Sequence, residues 1–288
     1  MDSLSLIPGL EAIAPHYDGI VCDVWGVLHN GVVGYGEAAD ALARFRETTG
    51  RPVVLLTNAP RPAPFVADIL AGFGVGPQSY DAIVTSGDVA RGEIEARQET
   101  PAFFIGPDRD LPLFSDIEPN FVAEDAAELV ICTGLFDDDV ETPDDYRDRL
   151  ARPAGRGVPM VCANPDIVVE RGDRLIFCAG ALAQLHAELG GPVIMVGKPH
   201  KPVYDVALAR LSQLAGRDLA FEKVLAIGDA LATDVRGGWG QGMDVLLVTA
   251  GIHAADFGPV EAPDLDKVRR RLDIEGIEAR AAIPRLRW

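Results

Sequence analysis

The stretch GIVCDVWGVLHNG, residues 19–31, is an apolar run that ends in one acid, Asp23, followed by a turn that contains glycine. A buried strand that carries a lone carboxylate at its carboxyl end is a common way to build an active site. Trp25 stands two residues later, where many sites of this kind have a second carboxylate. The stretch therefore leaves open whether Asp23 is a nucleophile without its usual helper or a residue with another task.

The composition is that of a soluble, acidic protein. The chain has 288 residues, 48% of them hydrophobic, which is enough for one large core or two moderate ones. Its 44 acids and 26 bases give a net charge of −18, which argues against affinity for nucleic acid or for an anionic membrane. An anionic substrate would need a local positive field, supplied by a metal ion or by selected basic side chains. We predict a cytoplasmic protein that binds neither nucleic acid nor membrane.

The amino-terminal segment lacks the basic start of a signal peptide and is interrupted by Pro8 and Pro15. No apolar stretch approaches the roughly 18 residues of a membrane-spanning helix. The four cysteines lie in or beside apolar stretches and form no C-x-x-C pair. We expect them to be reduced core residues, with metal ligands or disulfides as the alternative.

The strongest recurring pattern is a short run rich in Val, Ile and Leu that ends in a polar residue or glycine and is followed by a longer helical segment. Such continuous apolar runs favour parallel strands covered on both faces, which predicts an α/β fold. The segment VYDVALARLSQLAG, residues 203–216, has apolar positions at helical spacing and predicts a crossover helix. The predicted strands are GIVCDVW (19–25), PVVLLTN (52–58), DAIVTSG (81–87), AFFIG (102–106), ELVICTG (128–134), VPMVCAN (158–164), PVIMVGK (192–198), KVLAIGD (223–229) and MDVLLVTAG (243–251).

The middle of the chain has strand-like runs of its own and carries the densest cluster of acids, FDDDVETPDDYRD at residues 136–148. A second α/β lobe inserted there would split the first domain into two parts of the sequence. We therefore predict a discontinuous domain made of residues 1–87 and 191–288, with an inserted domain at residues 88–190.

Polar side chains follow four of the predicted strands, and the carboxyl ends of parallel strands meet at one edge of a sheet. Carboxylates together with a lysine and a hydroxyl are the groups of a magnesium and phosphate site, because Mg²⁺ takes one or two carboxylates and lysine neutralises phosphate oxygens. These residues are Asp23, Thr57 with Asn58, Lys198, and Asp229 with Asp234.

Each of these residues also has an ordinary structural interpretation. A strand-end aspartate is often a helix cap, and Thr57 with Asn58 before Pro60 is compatible with a simple turn. Lys198 between glycine and proline is compatible with a solvated lysine at a helix start. The stretch GDALATD, residues 228–234, is compatible with capping by Asp229. The site is favoured because all four stretches fall at strand ends of one α/β pattern.

Four motifs carry a resemblance to a known family: D-x-x-G-V at Asp23, L-T-N at residues 56–58, G-K-P at residues 197–199 and G-D-x-x-x-T-D at residues 228–234. In this order they resemble the haloacid dehalogenase superfamily of phosphohydrolases. The long insertion between the second and third motifs, with GKPHKPVYDVAL around the lysine, resembles the class IIA branch of nitrophenylphosphatases and nucleotide or sugar phosphatases. The resemblance covers nearly the whole chain and implies a Rossmann-like parallel-sheet core with an inserted α/β cap domain.

The resemblance implies a reaction through an aspartyl-phosphate on Asp23, with Thr57 holding the phosphate and Lys198 neutralising its charge. Asn58 is the expected substrate contact beside Thr57. The cap is expected to contribute further substrate contacts through Asn164-Pro165-Asp166, although N-P-D is also an ordinary turn. The substrate implied is a small phosphorylated metabolite, and the resemblance does not identify it. Caps of this branch often carry dimer contacts, so a homodimer is the expected protein partner, while the oligomeric state stays open.

The same resemblance implies a Mg²⁺ site. Asp23 and Asp229 match direct ligands, and Asp234 matches a residue that binds a metal water or steadies the lysine. Trp25 occupies the position whose main-chain carbonyl binds the metal, which any residue can provide. Family phosphatases have an aspartate there for proton transfer, and an indole cannot replace it at neutral pH. His29 is the nearest titratable candidate for that role, with a loop histidine that faces solvent or the cap as the alternative.

Three hypotheses follow from the sequence. The first is a magnesium-dependent phosphatase that is slow, or selective for leaving groups that need little protonation. The second is a phospho-ligand binding or regulatory protein on the same scaffold, with little catalysis. The third is chemistry on a carbon–halogen or carbon–phosphorus bond. Members of the family that act on carbon–halogen bonds lack the acidic pair of the fourth motif, so Asp229 with Asp234 argues against that reaction. Members that hydrolyse carbon–phosphorus bonds need a Schiff-base lysine from the cap, and residues 88–190 contain no lysine.

Overall fold

The computed structural model describes residues 4–172 and 174–288 of the chain. Within those residues it has thirteen strands, nine α-helices and several short 3₁₀ turns. The strands are β1 (Ser5–Leu6), β2 (Gly19–Cys22), β3 (Val53–Thr57), β4 (Ala82–Thr85), β5 (Ala102–Ile105), β6 (Leu129–Cys132), β7 (Met160–Cys162), β8 (Val168–Arg171), β9 (Arg174–Phe177), β10 (Val193–Met195), β11 (Val224–Gly228), β12 (Asp244–Val248) and β13 (Ala281–Ile283).

The helices connect these strands in the manner of crossover units. Helix α1 shows how the sequence sets one of them: Ala38, Leu42 and Phe45 are buried on one face, and the helix ends at Gly50, whose φ of 68° is left-handed. The helices are α1 (Gly36–Thr49), α2 (Ala63–Gly72), α3 (Ser86–Glu95), α4 (Arg147–Gly155), α5 (Ala179–Glu188), α6 (Lys201–Ala215), α7 (Arg236–Gly240), α8 (Ala254–Phe257) and α9 (Leu265–Glu275).

The largest sheet has seven strands in the order β1-β13-β12-β11-β2-β3-β4. Neighbouring strands in this order run parallel in the five pairs from β1–β13 to β2–β3. Every residue of β2, β3 and β11 is buried, as a sheet covered on both faces requires. The chain leaves β2 toward β3 and leaves β11 toward β12, on opposite sides. The carboxyl ends of β2 and β11 therefore form a topological switch point, where ligands bind in open α/β sheets.

A second sheet of four parallel strands has the order β10-β7-β6-β5, and β8 pairs with β9 as an antiparallel hairpin. The four-stranded sheet has its own buried core, to which Met160, Cys162 and Leu182 belong. Alternate residues of the same strands serve its other face, where Ile131 and Val161 pack with Ala90. This sheet therefore has apolar packing on both faces.

The chain divides into two compact units. The first unit is Met1–Thr57, Ala67–Val84 and Tyr204–Trp288, and it contains the seven-stranded sheet. The second unit is Asn58–Val66 and Thr85–Val203, and it contains the four-stranded sheet and the hairpin. The domain ranges predicted from sequence, 1–87 with 191–288 and 88–190, stay a prediction, and they differ from these units mainly at 58–66 and 191–203.

The α/β fold class is confirmed, and each of the nine predicted apolar runs contains a strand, β2 to β7 and β10 to β12. The crossover helix predicted at residues 203–216 is α6, which begins two residues earlier. The remaining strands were not predicted, because β1 and β13 have two or three residues each and β8 with β9 is only partly buried. All four cysteines are buried and reduced, as expected. No helix in the described ranges is long and apolar enough to span a membrane.

Candidate active site

Two neighbouring strands of the first unit bring two acids together at the switch point. Strands β2 and β11 pair in parallel with Cys22 opposite Ile227, so Asp23 and Asp229 follow the ends of adjacent strands. The Asp23 N–H donates to the Ile227 carbonyl at 2.8 Å, which continues the ladder beyond β2 and fixes the backbone at Asp23. The parallel register is therefore what places the two carboxylates side by side.

A third acid completes a compact carboxylate cluster. Asp23, Asp229 and Asp234 each offer a carboxylate oxygen within 4.8 Å of the others. Their side chains are buried, with exposed fractions of 7%, 4% and 4%. Like charges this close and this far from solvent repel one another, so the arrangement favours a cation between them. An all-oxygen site that offers Mg²⁺ one or two direct carboxylate ligands fits that ion, which keeps its other positions for water and phosphate oxygens.

The orientation of Asp229 is set by backbone groups around it. Its Oδ2 accepts a hydrogen bond of 2.7 Å from the Ile252 N–H. Gly26 and Gly251 lie against the same carboxylate, and a Cβ at either position would stand 2.3 Å or 1.9 Å from Asp229 Oδ2. Gly26 also has a φ of +85°, which L side chains rarely adopt. Both glycines are therefore required for the approach of the chain to the carboxylate.

Asp234 lies in a buried π-helical turn, Leu231–Val235, that returns the chain toward the end of β11. Its Oδ2 accepts from the N–H groups of Asp229 and Ala230 at 3.1 and 3.0 Å. Both carboxylates therefore bind backbone amides, as the ordinary interpretation of this motif allowed for Asp229. These hydrogen bonds hold the loop and leave both carboxylates in the cluster.

Trp25 belongs to a cluster of three aromatic rings in the first unit, with His29 and Phe73. The Trp25 and His29 ring centroids are 4.9 Å apart, with the rings edge to face at 68°. The His29 ring in turn stacks on Phe73, at 4.5 Å and 14°. The Gly26 N–H donates to the His29 carbonyl at 2.8 Å, which closes the turn between them. The indole is therefore held at a fixed angle two residues after Asp23, and it is only partly buried.

His29 is buried, with 3% of its surface exposed, and burial lowers its pKa to about 4. Its Nδ1 accepts a hydrogen bond of 2.9 Å from the Gly31 N–H, so the neutral ring carries its proton on Nε2. A histidine with this pKa is protonated in about one molecule in a thousand at pH 7. His29 is thus a neutral, buried packing residue, which differs from the loop histidine facing solvent that the sequence allowed as an alternative.

Thr57 ends β3, the strand next to β2, and its side chain is 5% exposed. Cys22 of β2 pairs with Leu55 of β3, and Asp23 is the next residue on one strand while Thr57 is two residues further on the other. This register places Thr57 at the same sheet edge as Asp23.

In the second unit, Asn58 joins two of the other predicted site residues. Its Oδ1 accepts from the Lys198 N–H at 2.7 Å, and its Nδ2 donates to the Lys198 carbonyl at 3.1 Å. The same Nδ2 donates to Asp166 Oδ1 at 2.9 Å. Asn58 is 2% exposed and Lys198 is 4% exposed. The amide of Asn58 therefore has protein partners on both atoms and holds the backbone of Lys198.

The N-P-D stretch forms the turn that the sequence allowed, since the Asp166 N–H donates to Asn164 Oδ1 at 3.1 Å. Before Lys198, Gly197 has a φ of +102°, and a Cβ there would stand 2.6 Å from Asn58 Oδ1. The Ser86 hydroxyl donates to the Val196 carbonyl at 2.8 Å and so fixes the same segment. Asn164, Asp166, Asn58 and Lys198 thus form one connected group.

No role was assigned from the sequence to the residues that position the carboxylates, Trp25 and Lys198. Gly26 and Gly251 were visible as glycines beside strand ends, which was the signal that a close backbone approach was required. Phe73 and Ser86 carried no such signal, because each meets its partner across 44 or 110 residues of sequence.

Two family models match separate parts of the chain. One, described as haloacid dehalogenase-like hydrolase, matches residues 20–117, and the other, described as HAD-hydrolase-like, matches residues 195–270. The chain is also similar to a solved structure of a hydrolase of the haloacid dehalogenase-like family from Brucella suis 1330. That structure is 42% identical, the match covers 98% of this chain and 100% of that one, and the TM-score is 0.87.

Two curated proteins are more distant relatives. The 5'-nucleotidase YutF of Bacillus subtilis (strain 168) is 25% identical over 259 residues, which are 89% of this chain and 95% of that protein. The ribonucleotide monophosphatase NagD of Escherichia coli (strain K12) is 26% identical over 247 residues, which are 82% of this chain and 89% of that protein.

Proposed function

Because the chain belongs to the haloacid dehalogenase-like family of hydrolases, we propose that it is a magnesium-dependent phosphohydrolase that forms an aspartyl-phosphate on Asp23. The observation that carries the proposal is the buried cluster of Asp23, Asp229 and Asp234 at the switch point of the sheet. Its oxygen ligands suit Mg²⁺, which when bound would neutralise the carboxylates and the phosphate charge. The 5'-nucleotidase and the ribonucleotide monophosphatase support phosphate monoesters as the substrate class.

The reaction has two displacements at phosphorus. A carboxylate oxygen of Asp23 attacks phosphorus, and the bond from phosphorus to the leaving oxygen breaks with its electron pair on that oxygen. Water then attacks the aspartyl-phosphate, the bond to Asp23 breaks, and inorganic phosphate leaves while the Asp23 carboxylate is restored. Asp229 and Asp234 would hold the metal ion, whose charge would offset that of the phosphate, and the Asp234 hydrogen bonds to the Asp229 and Ala230 N–H groups keep their loop from relaxing.

The other site residues keep the roles predicted for them. Thr57 is proposed to donate its hydroxyl to the transferring phosphate, and Lys198 to neutralise its oxygens. Asn58, Asn164 and Asp166 are proposed as contacts for the substrate, with Asn58 also a positioning residue for Lys198. The homodimer and the cytoplasmic location stay predictions from the sequence.

Trp25 is the reason to expect a slow or selective enzyme. A general acid and base at that position contributes on the order of 10²–10⁴ in rate, or about 3–5 kcal/mol of barrier. The indole supplies neither step, and His29 is neutral and packed between two rings. The same observation favours one alternative, a phospho-ligand binding or regulatory protein with little turnover on this scaffold.

The decisive experiment combines adduct formation with a phosphatase screen. The purified protein is incubated with Mg²⁺ and beryllium fluoride, and ¹⁹F NMR reports whether a beryllofluoride adduct forms. We expect an adduct in the wild type and none in Asp23→Asn, which removes the nucleophile but keeps the side-chain volume. A wild type without adduct would leave Asp23 with no role as nucleophile.

The screen uses a panel of phosphate monoesters with and without Mg²⁺. Turnover that requires both Mg²⁺ and Asp23 supports the phosphohydrolase. An adduct without turnover on any phosphate supports the binding alternative, particularly where Trp25→Asp gains substantial activity.

A further inference from the structure

We propose that Trp25 makes this site selective for phosphate esters of planar, acidic hydroxyl groups, namely aryl and enol phosphates, and poor toward alkyl phosphates. The inference rests on the proposed function and names its substrate class. Two independent features of Trp25 lead to it: the chemistry of an indole in place of an acid, and the position of a partly buried aromatic residue, packed on His29, two residues after the nucleophile.

The leaving oxygen in the first displacement needs a proton or must depart as an anion. When Asp23 bonds to phosphorus, the leaving oxygen takes the electron pair of the broken bond and departs as an anion unless a proton reaches it. The conjugate acid of an alkoxide is about as weak as water, whereas a phenol has a pKa of about 10. Trp25 has no exchangeable acid to offer at neutral pH. An ester whose leaving group is a stable anion therefore loses little at this site, and an alkyl ester loses the full contribution of the acid.

His29 does not replace the acid, and the reason is geometric. Its ring lies between Trp25 and Phe73, in contact with both, and its Nδ1 is occupied by the Gly31 N–H. With 3% of its surface exposed, it is enclosed by these neighbours. Its function in this arrangement is to brace the indole.

The shape of the leaving group also matters. The Trp25 ring packs edge to face on His29, which is itself stacked on Phe73, so neighbouring rings brace the indole. Trp25 is only partly buried and stands two residues after Asp23, so its flat apolar ring is assigned as the surface on which the leaving group packs. Because the ring already packs on His29, it loses little conformational entropy when the leaving group binds. Planar conjugated groups pack on such a surface better than saturated chains do. The same class of molecule, an aryl or enol phosphate, satisfies both arguments.

The kinetic test measures kcat/KM with Mg²⁺ for aryl phosphates whose phenols span several pKa units, together with an alkyl phosphate of similar size. In the wild type we expect a fall on the order of tenfold for each unit of leaving-group pKa, and scarcely measurable alkyl turnover. Trp25→Asp should flatten this dependence and raise alkyl turnover by about 10²–10⁴. Trp25→Phe is the matched control that keeps a ring and adds no acid, so it should keep the steep dependence.

The binding test separates stacking from chemistry. In the Asp23→Asn background, calorimetry compares phenyl phosphate with cyclohexyl phosphate, which has similar volume but no planar ring. We expect phenyl phosphate to bind about 2- to 10-fold more tightly. This preference should persist with Trp25→Phe and disappear with Trp25→Leu.

The outcomes are distinguishable. A shallow dependence on leaving-group pKa in a wild type that still forms the adduct at Asp23 would overturn this inference alone, because another group would then supply the proton. Equal binding of phenyl and cyclohexyl phosphate would overturn the proposed stacking on Trp25 and would leave the proposed function untouched. Absence of both adduct and turnover would overturn the proposed function, and this inference with it.

Discussion

Gly26 packs so closely against the Asp229 carboxylate that no other residue fits there. Its φ is +85°, and a Cβ would stand 2.3 Å from Asp229 Oδ2. Gly26→Ala should therefore displace Asp229, lower the Mg²⁺ affinity at least about tenfold and reduce the free energy of unfolding by about 1–3 kcal/mol. Magnesium titration followed by calorimetry, with chemical unfolding of the metal-free protein, measures both effects.

Gly36→Ala provides the matched control for that substitution. Gly36 begins helix α1, and a Cβ added there would meet no atom within 4 Å. Alanine at a helix position is stabilising by up to about 1 kcal/mol relative to glycine. An equal loss of Mg²⁺ affinity in both variants would contradict the role assigned to Gly26.

His186 makes a second residue-scale prediction, on pH. It is fully buried in α5, its Nε2 lies 2.9 Å from the Val158 carbonyl, and burial lowers its pKa below the usual 6.5. The unfolded chain therefore binds more protons than the folded chain as the pH falls below about 6.5, so stability is lost with acidification. We expect the free energy of unfolding to fall between pH 7.5 and pH 5.5 less steeply in His186→Gln than in the wild type.

Glutamine is chosen because its amide N–H can still reach the Val158 carbonyl but does not titrate. His186 Nδ1 has no hydrogen-bond partner in the described ranges, so the folded protein has no acceptor there for a second proton. Identical pH profiles for the two proteins in urea unfolding would show that His186 does not contribute.

At the scale of elements, the carboxyl half of α1 fastens the loop that enters β4. Arg46 Nε donates to Asp81 Oδ2 at 2.9 Å, and its Nη1 donates to the Pro77 carbonyl at 2.7 Å. Asp81 Oδ2 also accepts the Val53 N–H at 2.9 Å. Arg46→Ala breaks several charge-assisted hydrogen bonds and should cost about 1.5–3 kcal/mol. Arg44→Ala, an exposed arginine on the same helix, should stay within about 0.5 kcal/mol of the wild type in the same denaturant titration.

A strand can be predicted from the sequence when its own residues carry the pattern that identifies it. The runs that became β2, β3 and β11 were readable because a buried parallel strand is apolar at every position. Strands β1 and β13 were not, since two or three residues give no period, and β1 has its only strand partner, β13, more than 270 residues away within the described residues. The hairpin β8–β9 is half-exposed, which weakens the apolar signal.

Some parts of the candidate site could be predicted from the sequence and others could not. Asp23, Asp229 and Asp234 could be grouped from sequence because strand ends of one sheet share an edge, and the structure brings their carboxylates within 4.8 Å. The stacking of His29 on Phe73 could not be derived, because it depends on which side chains 44 residues apart meet in the folded chain. The prediction of Asn58 as a substrate contact likewise gave no sign of its bonds to Lys198.

At the scale of the whole molecule, the two units differ in what they contain. The three acids of the carboxylate cluster lie in the first unit, and so do all three tryptophans of the chain, Trp25, Trp239 and Trp288. Tryptophan fluorescence therefore reports unfolding of the unit that holds the proposed metal site. A ligand that binds only the folded state stabilises that state by mass action.

Mg²⁺ at about 100 times its dissociation constant should raise the fluorescence-detected free energy of unfolding by about 2.7 kcal/mol, and a chelator should reverse the change. In Asp23→Asn, removal of one of three clustered carboxylates relieves repulsion, so the metal-free variant should be at least as stable as the metal-free wild type. Its response to Mg²⁺ should nevertheless be much smaller. The Mg²⁺-induced shift, and not the absolute midpoint, is the quantity to compare, because the two effects of the substitution have opposite signs. A shift of equal size in both proteins would place the bound magnesium outside the carboxylate cluster.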